Sequence, residues 1–361
     1  MSTDKRSAQQ APGRVPMTSP RWTWTPVIQD ASFARAFHTC TPIRGKLYLF
    51  GGVKSGDPKE HPLGDMVTFD LEEKTVNVSA PQGTIRRSHH DAVSLEDRWL
   101  CVVGGWDGSQ RLASVISYDT ENAKWVTWAE GTSSSPPVGL SSHTSTKVSD
   151  NEICVVGREG GVRMQRRYAS VYTLRVDARS KTYTYKEEGM HAASRSGHSA
   201  FLLKTDTNNG KRVSYSLCVF GGREASMPDV VGHWSRDKVQ ENAEPCPPLT
   251  ERLTQLVGTK GAKRAEPKGL RHHSCSMVGP FVVVFGGETL SKSRDAVCND
   301  LYVGDTRCTP ISWFHFPGTD PQYKRVGHRT CLLNDCLYLV GGFGADGRTP
   351  CPDVCILEII Q

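Results

Sequence analysis

A short apolar run that ends in two glycines recurs along almost the whole chain. Five copies end in a Gly-Gly pair: Leu47–Gly52, Leu100–Gly105, Leu217–Gly222, Val282–Gly287 and Leu337–Gly342. A sixth copy, Ile153–Gly157, has Arg158 in place of the second glycine. The first glycines lie 53, 53, 64, 65 and 55 residues apart, so the pattern predicts a repeat architecture with one small structural unit per repeat.

The rest of each repeat predicts further strands around this run. Four apolar residues bounded by turn residues are typical of a strand buried on both faces, and they are too few for a helix. A second apolar run follows in several repeats, and an aromatic residue such as Trp125 or Trp313 comes after it. A histidine precedes the first glycine by 13 or 14 residues in five repeats and by 23 in the other: His38, His90, His143, His273 and His328, with His198 at the longer spacing. Because this histidine holds the same place in every repeat, we expect it to form hydrogen bonds at the start of a strand.

The two ends of the chain predict how the repeats close into a ring. The last repeat ends shortly after Val354–Leu357 and lacks an outer aromatic strand. A segment of that kind, Arg21–Thr25 with Trp22 and Trp24, stands before the first repeat. We therefore expect an all-β, six-bladed propeller closed by an N-terminal strand, which leaves only short protected sheet edges. The alternative is that the two tryptophans belong to a loose tail.

The repeats resemble those of the kelch β-propeller family over residues 21 to 360. Seven stretches outside the generic kelch consensus resemble one branch of that family: Arg87–Asp91, Trp99–Ser109, Gly157–Gly161, Gly269–Cys275, Phe285–Leu290, Trp313–Pro317 and Gly341–Gly344. The resemblance implies an interaction module without catalytic residues, with an A-type cyclin as its partner. Many kelch propellers present substrates to ubiquitin ligases through an attached BTB, F-box or C-terminal adaptor-binding segment, and we expect none in this chain.

Two segments depart from the repeat pattern. Residues 1–20 are polar, and we expect a disordered tail before the propeller of residues 21–361. An insertion at about 235–268 separates blades 4 and 5. Within it Leu249, Leu253, Leu256 and Val257 have helical spacing, which predicts a short helix. Two interpretations stay open: a lid packed on the propeller edge, or a helix that docks a partner.

Charge, hydropathy and cysteine content narrow the class of protein. The net charge of +6 divides into +3 for residues 1–21, +4 for residues 251–271 and about −1 for the remaining residues. We therefore expect no basic surface on the propeller of the kind that binds nucleic acids. No run of 18 apolar residues predicts a membrane helix. The twelve cysteines include no C-x-x-C pair, which favours reduced thiols and argues against a zinc site. We expect a monomeric protein in the cytoplasm, with the nucleus as a second location.

Catalysis is not expected. The aspartate-box motif of propeller sialidases, S-x-D-x-G-x-T-W, does not occur. Glu224, Asp229 and His233 lie near the spacing of iron-binding specifier proteins, which are also kelch propellers. Four residues separate the first two of them, whereas that family has three. We therefore predict no enzyme activity, no metal and no cofactor.

Two groups of arginines are the candidate partner-binding residues, because in a kelch blade the start of the inner strand and the loop after the double glycine share a face. The group at the strand starts is Arg35, Arg87, Arg195 and Arg325, and the loop group is Arg158, Arg163, Arg166, Arg167 and Arg223. A guanidinium binds carboxylates through two parallel hydrogen bonds, so this rim suits an acidic peptide. Inter-blade salt bridges to Asp91, Glu159 or Glu224 are the alternative for the first group.

These observations predict a non-catalytic scaffold that captures a partner protein. The alternative is the substrate-recognition subunit of a ubiquitin ligase, acting through a separate adaptor.

Overall fold

The computed structural model describes residues 20–80, 85–160, 165–193, 196–206, 212–222, 229–237, 248–289 and 296–360. Within these residues the chain forms mostly antiparallel sheets, one α-helix and two short 3-10 helices, Ala31–Phe33 and Pro321–Tyr323. This is the all-β class that the repeats predict. No helix in the described part of the chain is long and apolar enough to cross a membrane.

The described residues form seven sheets of at least three strands. Six of them follow one another along the chain, and we number these as blades 1 to 6. Each inner strand begins directly after the histidine of its repeat and pairs with the apolar run. Blade 1 contains Thr39–Ile43, Lys46–Phe50, Met66–Asp70 and Thr75–Ser79. Blade 2 contains Asp91–Leu95, Trp99–Trp106, Arg111–Asp119 and Lys124–Thr127. Blade 3 contains Thr144–Ser149, Glu152–Gly160, Gln165–Asp177 and Thr182–Ala193, with Ala129–Glu130 added in parallel at its edge.

The second half of the chain continues the series. Blade 4 contains Ser199–Asp206, Arg212–Phe220 and Asp229–Asp237. Blade 5 contains Ser274–Val278, Phe281–Phe285, Leu301–Asp305 and Ser312–Phe316, with Lys263–Arg264 at its edge. Blade 6 contains Arg329–Leu333, Cys336–Val340, Asp353–Ile360 and the N-terminal strand Arg21–Gln29. A small separate sheet consists of Leu270–Arg271, Glu288–Thr289 and Ala296–Val297.

The apolar runs are buried on both faces, as their continuous hydrophobicity predicts. Leu47 and Leu49 lie in the apolar cluster between blades 1 and 6. Tyr48 and Phe50, which point to the other side of the same strand, lie in the cluster between blades 1 and 2. A strand between two blades therefore has no solvent face, and this is why the runs do not alternate with polar residues.

The outermost strand of the last blade comes from the start of the chain, as the aromatic pattern predicts. Arg21–Gln29 pairs antiparallel with the last strand, from Arg21 opposite Ile360 to Gln29 opposite Asp353. Trp24 is only 2% exposed, and its ring centroid lies 5.0 Å from that of Phe285 in blade 5. The sequence predicts a disordered tail at residues 1–20, and residues 1–19 lie outside the described residues.

The insertion contains the predicted helix, α1, at Pro248–Val257. Leu249, Leu253 and Leu256 are buried in the same cluster as Trp24 and Leu357, whereas the polar side of the helix is exposed. The helix therefore covers the apolar surface of blades 5 and 6, which favours the lid over the docking helix.

Candidate interaction face

The starts of the inner strands and the segments after the double glycines lie on one face of the propeller, which we call the ring face. Isolated antiparallel bridges join Ala36 to Val53 in blade 1 and Val326 to Phe343 in blade 6. In blade 2 the corresponding bridge joins Ser88 to Trp106. Each of these loops is thereby attached to its own inner strand at the point where it leaves the blade.

A closed circle of six backbone hydrogen bonds lies at this face, and we call it the amide ring. Its members are the residues directly before the six repeat histidines: Phe37, His89, Ser142, Gly197, His272 and Gly327. The N–H of each donates to the carbonyl of the preceding member, at N···O distances of 2.8 to 3.0 Å, and Phe37 N–H donates to the Gly327 carbonyl to complete the circle. One bond crosses each blade boundary, so the circle ties all six inner strands together.

All six members of the amide ring have a left-handed backbone, with φ between +52° and +70°. Glycine adopts this conformation freely, whereas a side chain makes it cost about 1–3 kcal/mol. Four members nevertheless carry side chains, and three of those side chains pack together over the ring. Phe37 stacks on His89 with ring centroids 4.1 Å apart, and it meets His272 edge-on at 4.9 Å.

The glycines of the amide ring accommodate this aromatic plug of Phe37, His89 and His272. An ideal Cβ on Gly327 would lie 3.0 Å from the Phe37 ring, and one on Gly197 would lie 2.8 Å from the His272 ring. The Phe37 and His272 rings therefore occupy the space that side chains at Gly327 and Gly197 would need. The channel beside the plug has a volume of about 300 Å³, and histidines line it together with serines and threonines of the inner strands.

The repeat histidines link neighbouring blades. His90 Nε2 lies 2.9 Å from Thr39 Oγ1, and His198 Nε2 lies 2.9 Å from Thr144 Oγ1. His328 Nε2 lies 3.0 Å from Ser274 Oγ. In each case the hydroxyl belongs to the preceding blade, which confirms the predicted hydrogen bonding at the strand starts for these three repeats.

The double glycines make room for these histidines. A Cβ on Gly51 would lie 2.8 Å from the His90 ring, and a Cβ on Gly105 would lie 2.7 Å from His90 Cβ. His90 is thus held between the first glycine of the blade before it and the second glycine of its own blade. In blade 3 the strand runs straight on past Gly157, with Arg158 opposite Ala169, so no second glycine with positive φ is needed there.

Burial keeps these histidines neutral. It lowers the pKa of His143 and of His273 to about 4, and together with the nearby Arg325 charge it lowers the pKa of His328 to about 3. Burial and the charge of Arg111 lower the pKa of His89 to about 4. A histidine with so low a pKa is a weak general base at neutral pH, so this set is suited to holding strands rather than to proton transfer.

An ion pair crosses the channel between blades 2 and 6. Arg329 Nη1 lies 3.1 Å from Asp91 Oδ1, and Arg329 also donates to the backbone carbonyls of His38 and His90. Asp91 Oδ2 accepts a 2.7 Å hydrogen bond from the Ser145 N–H. Asp91 and Arg329 each directly follow a repeat histidine. At the same position, blades 1, 3 and 5 have a threonine or serine whose hydroxyl hydrogen-bonds to the repeat histidine of the following blade. The pair spans blade 1 and joins its two neighbours.

Three of the four arginines at the strand starts are described, and each is buried and bound to other groups of the fold. Arg35 is 1% exposed and binds Asp65 through two 2.8 Å hydrogen bonds. Arg325 is 2% exposed and lies 3.2 Å from Asp353. Arg87 is 7% exposed and donates to Ser114 Oγ and to the Arg86 carbonyl. Of the predicted acids, Asp91 pairs with Arg329 instead, and the side chains of Glu159 and Glu224 lie outside the described residues. The burial of the three arginines leaves little surface for a partner.

The side chains of the loop group all lie outside the described residues. Only the backbone of Arg158, Arg166 and Arg167 is described, as part of the blade 3 hairpin. Arg163 and Arg223, and Arg195 of the strand-start group, lie outside the described residues altogether. That hairpin continues past the level of the amide ring, with Gly160 opposite Gln165. The backbone therefore brings Arg158, Arg166 and Arg167 together on one projecting element.

The described side chains include no group of three or more histidines, cysteines, aspartates or glutamates placed to hold a metal. The weak iron-site match cannot be placed in this way, because Glu224 lies outside the described residues and only the backbone of Asp229 and His233 is described. The blades, the double glycines and the linking histidines together define the class, a kelch-type β-propeller.

Comparison with known proteins agrees with this class. The family model described as the KLHDC2/KLHL20/DRC7 Kelch-repeats domain matches residues 15–161. Kelch domain-containing protein 9 of Homo sapiens is 53% identical over 349 residues, covering 97% of this chain and 98% of that protein. The mouse protein of the same name is 54% identical over 337 residues, covering 93% of this chain and 95% of that protein. The chain therefore belongs to the kelch-repeat propellers, in the family of Kelch domain-containing protein 9.

A solved structure supports the fold alone. The structure of YjhT covers 91% of this chain and 98% of its own, with a TM-score of 0.58 at 11% sequence identity.

Proposed function

We propose that the protein is a non-catalytic scaffold that binds a partner protein on its ring face. The observation that carries the proposal is the attachment of the loops: bridges tie those of blades 1, 2 and 6 to their inner strands, and the amide ring ties the six inner strands to one another. Binding residues are commonly found on loops that a rigid framework positions. Membership of the kelch-repeat family, whose domains mediate protein–protein interactions, supports the same conclusion.

Within this face, the blade 3 hairpin is the proposed contact. It extends past the amide ring, and its loop group includes Arg158, Arg163, Arg166 and Arg167. Arginines on one projecting hairpin suit an acidic segment of a partner, because each guanidinium donates several hydrogen bonds in a fixed geometry. Arg87 and Arg325 are not part of this contact, because their buried side chains are engaged within the fold.

The first partner we propose is an A-type cyclin, on the strength of the family resemblance. The proposed place of action is the cytoplasm, with the nucleus second. A substrate-recognition role in a ubiquitin ligase, through a separate adaptor, is the alternative outcome of the same experiment.

The experiment is affinity capture of the full-length protein from cytosolic and nuclear fractions, with partners identified by mass spectrometry. The test variant changes Arg163, Arg166 and Arg167 to alanine. The matched control changes Arg175, Arg179 and Lys181 to alanine, because these exposed side chains lie near the opposite end of the strand Gln165–Asp177 and in the turn that follows it.

We expect the test variant to keep its melting temperature and to lose at least about tenfold in captured partner, which is typical when anchor residues are removed. The control should capture as the unchanged protein does. Equal capture by both variants would place the contact elsewhere. Enrichment of cullin and elongin-type subunits would favour the ligase role.

A further inference from the structure

Two cysteines face each other where the first and last blades meet. Cys40 lies on the inner strand of blade 1, and Cys331 lies on the inner strand of blade 6, 291 positions later in the chain. Their Sγ atoms are 3.5 Å apart. Cys331 is 6% exposed, whereas Cys40 is partly exposed.

The position of this pair follows from the regular geometry of the inner strands. Cys331 is the third residue after its repeat histidine, and Cys40 is the second residue after its own. The same two positions in blades 5 and 6 hold Ser276 and Thr330, whose hydroxyl oxygens are 2.8 Å apart. Adjacent inner strands thus bring this pair of positions into direct side-chain contact, and at the junction of blades 6 and 1 both residues are thiols.

We propose that Cys40 and Cys331 are an oxidation site at which a peroxide converts two thiols into a disulfide that joins blade 1 to blade 6. The junction is the one that the N-terminal strand closes, so the disulfide would add a covalent link beside a closure held by non-covalent pairing. Intracellular disulfides are typically transient and serve redox sensing. The inference rests on the fold and is independent of the proposed partner.

The reaction balances with one peroxide molecule. The thiolate of Cys40, the more accessible residue, attacks one peroxide oxygen, and the O–O bond breaks to give a sulfenic acid and hydroxide, which takes up a proton to form water. The Cys331 thiol then attacks the sulfenic sulfur. The S–S bond forms, and the hydroxyl group leaves as a second water with the proton of that thiol. Two cysteines are oxidised and the peroxide is reduced.

The contact also predicts how fast this reaction is. The hydrogen bond to Cys331, together with burial, raises the pKa of Cys40 well above its usual value. Because the thiolate is the reactive form, oxidation should be slow at pH 7 and clearly faster at pH 9.

The experiment treats the full-length protein with hydrogen peroxide in a Cys308→Ser background, which removes an exposed thiol. Peptide mapping without reductant should find a Cys40–Cys331 cross-link. Oxidation should raise the melting temperature by about 5 °C, because a link across a long loop restricts the unfolded chain, and a thiol reductant should reverse the rise.

Two variants give the control. Cys40→Ser should abolish both the cross-link and the rise in melting temperature. Cys275→Ser should abolish neither, because Cys275 holds the same strand position in blade 5 but packs in a cluster with Phe201. The proposal is overturned if Cys40 and Cys331 remain separately alkylatable after oxidation, or if Cys331 links to Cys336 instead.

Discussion

The enclosed histidines predict that the propeller loses stability in mild acid. Each is held neutral in the folded protein, mainly because burial disfavours its charged form, whereas an unfolded chain titrates histidine near its ordinary pKa of 6.5. A folded pKa below the unfolded pKa means that the unfolded state binds more protons. The stabilising contribution is therefore present above about pH 6.5 and is lost as the pH falls toward the folded pKa.

The magnitude follows from the shifts. For a folded pKa of about 4, as at His89, His143 and His273, lowering the pH from 7 to 5 costs about 2 kcal/mol per histidine. His328, with a pKa of about 3, contributes a similar amount over the same range. Together the four would remove about 7 kcal/mol, which is comparable to the whole stability of a typical domain.

The assay is denaturant-induced unfolding at pH 7, 6 and 5, with His89→Gly as the diagnostic variant. Glycine occupies the same amide-ring position in blades 4 and 6, so the backbone tolerates the change. The variant should show a pH-dependent loss smaller by about 2 kcal/mol. Ser142→Gly is the matched control, because it changes a ring member that does not titrate and should keep the full loss. A wild-type protein that loses less than about 2 kcal/mol between pH 7 and 5 would refute the reasoning.

Two further predictions concern stability. Trp24→Ala should lower the free energy of unfolding by about 3–5 kcal/mol, because the side chain is almost wholly buried. Removal of residues 1–25 should destabilise the protein at least as much. Removal of residues 1–18 should leave the melting temperature unchanged. Equal melting temperatures for the whole chain and the 26–361 fragment would contradict closure by the N-terminal strand. Arg325→Ala should cost about 3–5 kcal/mol in chemical denaturation, because it leaves Asp353 without its buried partner. Arg307→Ala, which breaks an exposed pair with Asp305, should cost less than about 1 kcal/mol, and similar losses in both variants would argue against this account.

The parts of the fold that sequence reasoning predicts are those that repeat. Each repeated feature has one physical cause. The apolar runs are strands packed between two blades, the double glycines leave room beside an imidazole, and the histidines form hydrogen bonds to the preceding blade. The N-terminal strand is predictable for the same reason, because Trp22 and Trp24 supply an aromatic element that the last repeat lacks. Helix α1 is predictable from the spacing of its buried leucines.

The interaction face is less predictable, because its features depend on neighbouring blades. The sequence leaves open whether Arg87 and Arg325 bind a partner or form salt bridges between blades. In the structure both are buried and bind groups of the fold, Arg325 beside Asp353 and Arg87 at Ser114. The amide ring left one signal that could have been found: Gly197 and Gly327 directly precede their histidines, which is typical of a left-handed backbone. The ion pair of Asp91 and Arg329 has no such signal, because nothing in the sequence indicates that residues 238 positions apart meet across the channel.

Several unusual residues lie together at the amide ring. Phe37, His89 and His272 adopt a backbone conformation that glycine would adopt at lower cost, and Asp91 and Arg329 stand beside the ring where the other blades have serine or threonine. A positive φ alone does not distinguish this face, because turn residues such as Arg44, Asp97 and Asn334 have one too. At the ring, however, the strained residues adjoin one another through backbone hydrogen bonds, and three of their side chains pack together over the ring. Backbone strain held in place by surrounding structure is a reason to test a site for function, so these features support the proposal that a partner binds on the ring face.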